Sequence, residues 1–212
     1  MTALGDLNQA IYAHFSAMTE MKSLFNVYKP GQTEVIRLTN SYRSTREIVE
    51  FTRGMVKGGD EIHPFQRSRD KPIVTIVGNR ADQIQQIVHD IQTFKASGYE
   101  SIAIICKTAE ESGNAYAMLS EFLSLHLVTK DTLKFEKEVV VIPAYLAKGV
   151  EFDAVILYDG SVHRYHREQE RNLFYTACTR AMHRLNIYSL GEPSPFITAQ
   201  STETYNLEAI RV

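Results

Sequence analysis

The period of the apolar residues switches back and forth along this chain, and that alternation restricts it to the α/β class. Six short apolar runs read as buried strands: Val35–Leu38, Ile73–Val77, Ile102–Ile105, Val139–Ile142, Ala154–Leu157 and Leu185–Tyr188. They are continuous Val/Ile runs rather than strict alternations. That suits strands covered on both faces, in a mainly parallel sheet with helices on each side. Between them the spacing turns helical. Asp82 to Lys95 sets Ile84, Ile87, Val88, Ile91 and Phe94 on one face, with Gly98 following as a stop. Glu110 to Phe122 and Gln169 to His183 keep the same period. Ser44-Thr45-Arg46-Glu47 reads as a capping box that opens another helix. Gly58-Gly59-Asp60 and the stretch through Arg69-Asp70 read as loop, and the segment after Gly191, with Pro193 and Pro195, as a tail that is irregular at first.

A length of 212 residues fits one domain, and 44 % hydrophobic with 23 % charged residues excludes a disordered or low-complexity chain. Twenty-three basic against 25 acidic residues leave a net charge of −2. That argues against a protein that coats nucleic acid, and leaves room for one that grips phosphate at a few placed points. Cys106 and Cys178 lie in apolar runs and read as small buried hydrophobes, not as a disulfide or zinc framework. No segment approaches the ~20 apolar residues of a membrane span, and the first apolar stretch is too short and polar for a signal peptide. A cytosolic location with no membrane partner is the expectation. Leu4-Gly5-Asp6 reads as the last step of a strand whose beginning is missing, which suggests a piece of a longer protein.

The chain contains no Gly-x-x-x-x-Gly-Lys-Ser/Thr loop, no Gly-x-Gly-x-x-Gly, no His-Glu-x-x-His and no nucleophile elbow. No complete active site and no metal site is legible. Four polar blocks instead fall at strand ends, where open α/β sheets place ligands. In Gly5–Tyr12, Gln9 could orient a water or touch a phosphate oxygen and Tyr12 could stack on a base; a plain turn with Tyr12 in the core serves equally well. In Ser41–Ser44, Arg43 could reach a phosphate and Tyr42 a purine, or both are ordinary surface residues. In Ala147–Asp153, Lys148 offers a point charge, Gly149 a close backbone approach and Glu151 an acceptor for a ribose hydroxyl; a tight surface turn has the same composition. In Glu170–Ala181, Leu173, Phe174 and Ala177 form a core face, and Arg180 at its margin points toward something negative or is a helix C-terminal charge.

Taken in order, Gly-Asp-x-x-Gln-x-Ile-Tyr, Tyr-Arg-Ser, Ala-Lys-Gly-x-Glu-Phe and Phe-Tyr-x-Ala-x-Thr-Arg-Ala resemble motifs three to six of the UvrD/Rep/PcrA-like helicases of superfamily 1, across residues 5–181. The resemblance implies a RecA-like fold. It implies that Gln9 senses the γ-phosphate and couples hydrolysis to movement, that Tyr42 packs on adenine, and that Arg43 contacts the γ-phosphate. Glu151 would bond the ribose beside Gly149, Arg180 would be an arginine finger, and Tyr12 and Lys148 would face nucleic acid. The implied organisation is a remnant of a first motor domain at 1–30, a second RecA-like domain at 31–191, and a tail at 192–212. ATP with Mg2+ would be bound mainly by the first motor domain, so that this chain alone is inactive. DNA, single-stranded or duplex, and that first domain are the implied partners.

The departures matter. Ala10 and Ser41 stand where Ser and Asn are commoner, and Pro143-Ala144-Tyr145-Leu146 replaces the usual Thr-x-His-Ser, whose Thr and His touch the nucleic-acid backbone. That form, with Ala-Cys-Thr-Arg-Ala-Met-His later, is similar to the HelD-type branch, which is associated with recycling RNA polymerase. A nucleotide-gated module acting on polymerase is therefore the alternative function. Larger members insert an extra domain between the second and third blocks; here Phe51 to Val139 is filled by elements already counted, so no insertion is expected.

Overall fold

The computed structural model describes residues 7–9, 23, 26–27, 31, 34, 36–132 and 139–210. Two short strands, β1 (Asn40–Ser41) and β2 (His63–Pro64), pair in parallel on either side of α1 (Arg46–Arg53) in the chain. The main sheet holds β3 (Ile73–Val77), β4 (Ile102–Cys106), β5 (His126–Leu127), β6 (Val139–Pro143), β7 (Phe152–Leu157), β8 (Ala181–Leu190) and β9 (Asn206–Ile210). Helices α2 (Arg80–Ala96), α3 (Ala109–Leu119), α4 (Arg171–Cys178) and α5 (Pro195–Thr198) interleave with them. The strand order is β5-β6-β4-β7-β8-β3-β9, and every neighbouring pair is parallel.

Two cores explain the unbroken apolar runs. Ala103, Ile105, Val155 and Leu157 point to one face, packed with Ile48 and Phe51 of α1, Phe174 of α4 and Phe196 of α5. Ile102, Ile104, Ala154 and Ile156 point to the other, packed with Ile87 and Ile91 of α2 and Leu119 of α3. Successive residues of a strand face opposite ways, so burial on both sides demands an apolar residue at every position. The expected α/β architecture, RecA-like with helices on both faces, is what the chain adopts. Cys106 and Cys178 are buried free thiols, and burial pushes both thiols up, well away from the reactive range.

Local expectations fail in three places. Ile36 to Thr39 form no strand, and Ile36 and Leu38 stay 74 % and 85 % exposed; an apolar run without a sheet edge to join remains on the surface. The helix read through His183 stops at Cys178, because Ala181 pairs with Phe152 and begins β8, so strand pairing overrides the helical period. The capping box does not close: Thr45 is the N-cap residue but its side chain makes no cap bond, while the Ser44 hydroxyl donates to Ala181 O at 2.6 Å. Beyond Gly191, the Ser194 hydroxyl caps α5 by accepting from Phe196 N at 3.1 Å, and β9 joins the sheet alongside β3.

Asp153 ties the amino ends of β4 and β7 together. Its carboxylate accepts from the backbone N–H groups of Glu100 (3.0 Å) and Ser101 (2.9 Å) and from the Ser101 hydroxyl (2.9 Å). Burial raises its pKa, but these donors and the nearby His183 outweigh that and hold it below the ordinary 3.8. A depressed carboxylate contributes stability above its unfolded pKa and loses it as pH falls through the folded one. Asp153→Asn should therefore cost about 1–2 kcal/mol near neutral pH, with the gap to wild type closing as the pH falls below about 4 in thermal unfolding. A gap that is constant from pH 3 to 7 would be the contrary result.

Candidate functional site

Four segments far apart in the chain meet at the amino-terminal edge of the sheet. Arg180 sits at the junction between α4 and β8 and is 0 % exposed. Its Nη2 donates to Gln9 Oε1 at 3.1 Å, its Nη1 to Val150 O at 3.4 Å and its Nε to Thr176 O at 3.0 Å. Residues 7–9 form a 3-10 turn that brings Gln9 over this junction. Glu151 immediately precedes β7 and forms an ion pair with Arg43. Arg43 is fixed there because its neighbours are: Ser44 Oγ donates to Ala181 O, and Thr45 N donates to Met182 O at 3.0 Å. Arg67 donates to the carbonyls of Tyr42 (3.1 Å) and Arg43.

Gln9, Arg43, Glu151 and Arg180 are thus brought together. Gly149 lies beside them with φ +86° and nothing within 4 Å of a built Cβ, so its left-handed turn, not crowding, is what favours glycine. Lys148 is exposed next to it. Tyr42 is 62 % exposed and its hydroxyl receives a bond from Asn40 Nδ2 at 3.3 Å. Tyr12 lies outside the described residues.

The cluster stands at the amino ends of β7 and β8, which specifies the edge that the expectation of strand-end blocks left open. The physical reason lies in the connections. Each block except the first directly precedes or contacts the first residue of a strand: Glu151 precedes Phe152, Arg180 precedes Ala181, and Ser44 bonds to Ala181. The carboxyl edge carries a different set. An open depression of about 400 Å³ there is lined by Arg80, Glu111, Asn114, Tyr158 and Arg164. Its cations are already matched: Arg80 to Asp159 (3.7 Å), Arg164 to Glu111 (3.1 Å) and Asp159 (3.7 Å), and adjacent Lys107 to Glu170 (2.6 Å). Burial raises the Glu111 carboxyl and pushes the Tyr158 phenol up to about 12. Matched, half-buried pairs of this kind brace the loops after β4 and β7.

Sequence reasoning missed Ser44, Phe65 and Arg67 as parts of the amino-edge site. Ser44 carried a signal, but for a helix cap. Phe65 and Arg67 lie in a stretch without periodicity, and only the β1–β2 pairing brings them to Tyr42 and Arg43. Among the described residues no group of three or more His, Cys, Asp or Glu side chains could hold a metal ion, and no helix is long and apolar enough to cross a membrane.

Comparison with known proteins points one way. Residues 138–188 match the profile of the UvrD-like helicase C-terminal domain. The solved C-terminal domain of a possible DNA helicase from Lactobacillus plantarum WCFS1 is 32 % identical and superposes with a TM-score of 0.70, over 79 % of this chain and 98 % of that one. A protein of Acanthamoeba polyphaga mimivirus named as a candidate ATP-dependent DNA helicase is 27 % identical over 209 residues, covering 86 % of this chain. The chain spans only 29 % of that viral protein's length.

Proposed function

This chain belongs to the UvrD-like helicase C-terminal domain family, and from that premise we propose that it is the second motor domain of an ATP-dependent DNA helicase or translocase. The observation that carries the reading is the convergence of Arg43 and Arg180 with Gln9 and Glu151 on one edge of the sheet. Two guanidinium groups, one amide and one carboxylate suit phosphate oxygens and a sugar hydroxyl. They offer no cluster for Mg2+, which the reading assigns, with the phosphate loop and the water-activating acid, to a companion motor domain. Bound Mg2+ would screen phosphate charge there.

In this proposal the cleft closes when the amino edge meets a triphosphate held by the companion. Arg43 exchanges Glu151 for the γ-phosphate, and the released carboxylate accepts from the ribose. Tyr42 stacks on adenine. Arg180, buried and held by Val150 O and Thr176 O, directs its guanidinium toward charge that develops on the transferring phosphoryl group. Gln9 bonds directly to Arg180 and links the 7–9 turn to that movement. Tyr12 and Lys148 face nucleic acid in the same scheme.

A second reading rests on Tyr145 and Leu146, which stand half-buried in the turn after β6 where helicases of the resembled family grip the nucleic-acid backbone. It makes the domain a nucleotide-gated lever on RNA polymerase; strand displacement by the full-length protein favours the first reading, and co-purification with polymerase without displacement favours this one.

The isolated 212-residue chain should hydrolyse no ATP above background, because it carries no phosphate loop, whereas the full-length protein should do so on single-stranded DNA. Robust turnover by the purified chain, measured by phosphate release, would overturn the two-domain reading.

A further inference from the structure

We infer that Phe65 is a positioning residue that holds the Tyr42 ring ready for a nucleobase; the inference rests on the nucleotide-binding reading above and extends it to a residue outside the four motif blocks.

The segment around Phe65 joins no strand of the main sheet, yet it is firmly placed. His63 N donates to Thr39 O at 2.9 Å and Phe65 N to Ser41 O at 3.0 Å, and Arg67 returns to the carbonyls of Tyr42 and Arg43. This short parallel ladder brings the Phe65 ring centroid to 5.1 Å from that of Tyr42, with the planes tilted by 47°. Both rings remain mostly in solvent, at 62 % for Tyr42 and 52 % for Phe65. Core burial is therefore not what the contact achieves. An exposed tyrosine turns freely among its rotamers; a second ring against it removes that freedom and leaves its outer face available. A centroid separation of 5.1 Å leaves no gap for a base between the rings, so Phe65 acts through Tyr42 rather than on the base itself.

The occupant follows from the neighbours. Tyr42 is joined to Arg43, whose guanidinium stands in the amino-edge cluster with Glu151. A flat π-system beside groups suited to a sugar hydroxyl and phosphate matches a nucleotide base, which stacks on an aromatic face whatever its sequence identity. A ring already held in place spares the base the entropy of ordering it.

The test uses the full-length protein with ATP and inorganic tripolyphosphate, which lacks a base. Phe65→Ala should raise KM for ATP about two- to tenfold, the equivalent of ordering one side chain. It should leave kcat and the inhibition constant of tripolyphosphate unchanged, and Phe65→Tyr should restore KM. Tyr42→Ala should show the same pattern, and the double variant should be no worse than Tyr42→Ala alone. If Tyr42→Ala raises KM and Phe65→Ala does not, the positioning role is wrong and the base site stands. If neither raises it, the base site falls and the inference with it. Equal weakening of ATP and tripolyphosphate by Phe65→Ala also overturns it, since that marks a general disturbance of the fold.

Discussion

Arg180→Ala in the full-length protein should lower the ATP turnover number about a thousandfold or more while KM shifts by less than tenfold. The expectation follows from where the charge is needed. A guanidinium that meets the phosphoryl group only as its bond breaks stabilises the transition state and not the ground state, so the loss falls on kcat. Arg180 is 0 % exposed, so a charge it met on closure would be little screened by water, which would strengthen the effect. The same burial supplies the control. Truncation leaves Val150 O, Thr176 O and Gln9 Oε1 without this donor, and a fall in stability is expected alongside. Arg180→Lys keeps charge and most of the packing but not the planar fork. It should melt near wild type and still turn over slowly. Wild-type kcat in either folded variant removes the finger role.

Phe174→Ala should cost about 3–5 kcal/mol of folding stability, a large share of the 5–15 kcal/mol typical of a domain. Phe174 is 0 % exposed and lies edge-on to Tyr165 at 5.0 Å and to Phe196 at 5.7 Å. It therefore joins α4, the loop after β7 and α5 in one contact, and three elements cannot all collapse into the space it leaves. Urea unfolding of the chain measures the difference; a cost below about 1 kcal/mol would mean that the three-ring contact does not form. The second consequence is functional. α4 ends two residues before Arg180, so loosening its core face should also blur the position of the guanidinium.

The sheet was legible in the sequence because its strands are buried on both sides. Five of the six apolar runs became strands; the described part of the sixth, Ile36–Leu38, forms none, because an apolar run says nothing about whether a partner strand exists. β9 was missed for the converse reason. Asn206 to Ala209 are exposed at the sheet's margin, and Leu207, Ala209 and Ile210 make too short and broken an apolar pattern to read as a buried strand. At the proposed site, Gln9, Arg43, Glu151 and Arg180 were picked out from motif order, and in the structure Arg180 bonds to Gln9 while Arg43 pairs with Glu151. The edge on which they assemble was not legible, because strand direction relative to a motif depends on where the helix stops. Arg180 was read on a helix that extends to His183, and the stop at Cys178 is set by the pairing of Ala181 with Phe152. Phe65 and Arg67 were invisible because nothing within their own stretch distinguishes them; their role comes from a two-residue ladder to a segment more than twenty positions earlier.

A sheet jacketed on each side by a dense apolar layer behaves as a stiff plate. Where β3, β4, β6 and β7 run five or six residues, it is roughly 16–20 Å deep from rim to rim. In the proposed motor, a pull on one rim of such a plate would be carried to the opposite rim as a stroke instead of being absorbed on the way.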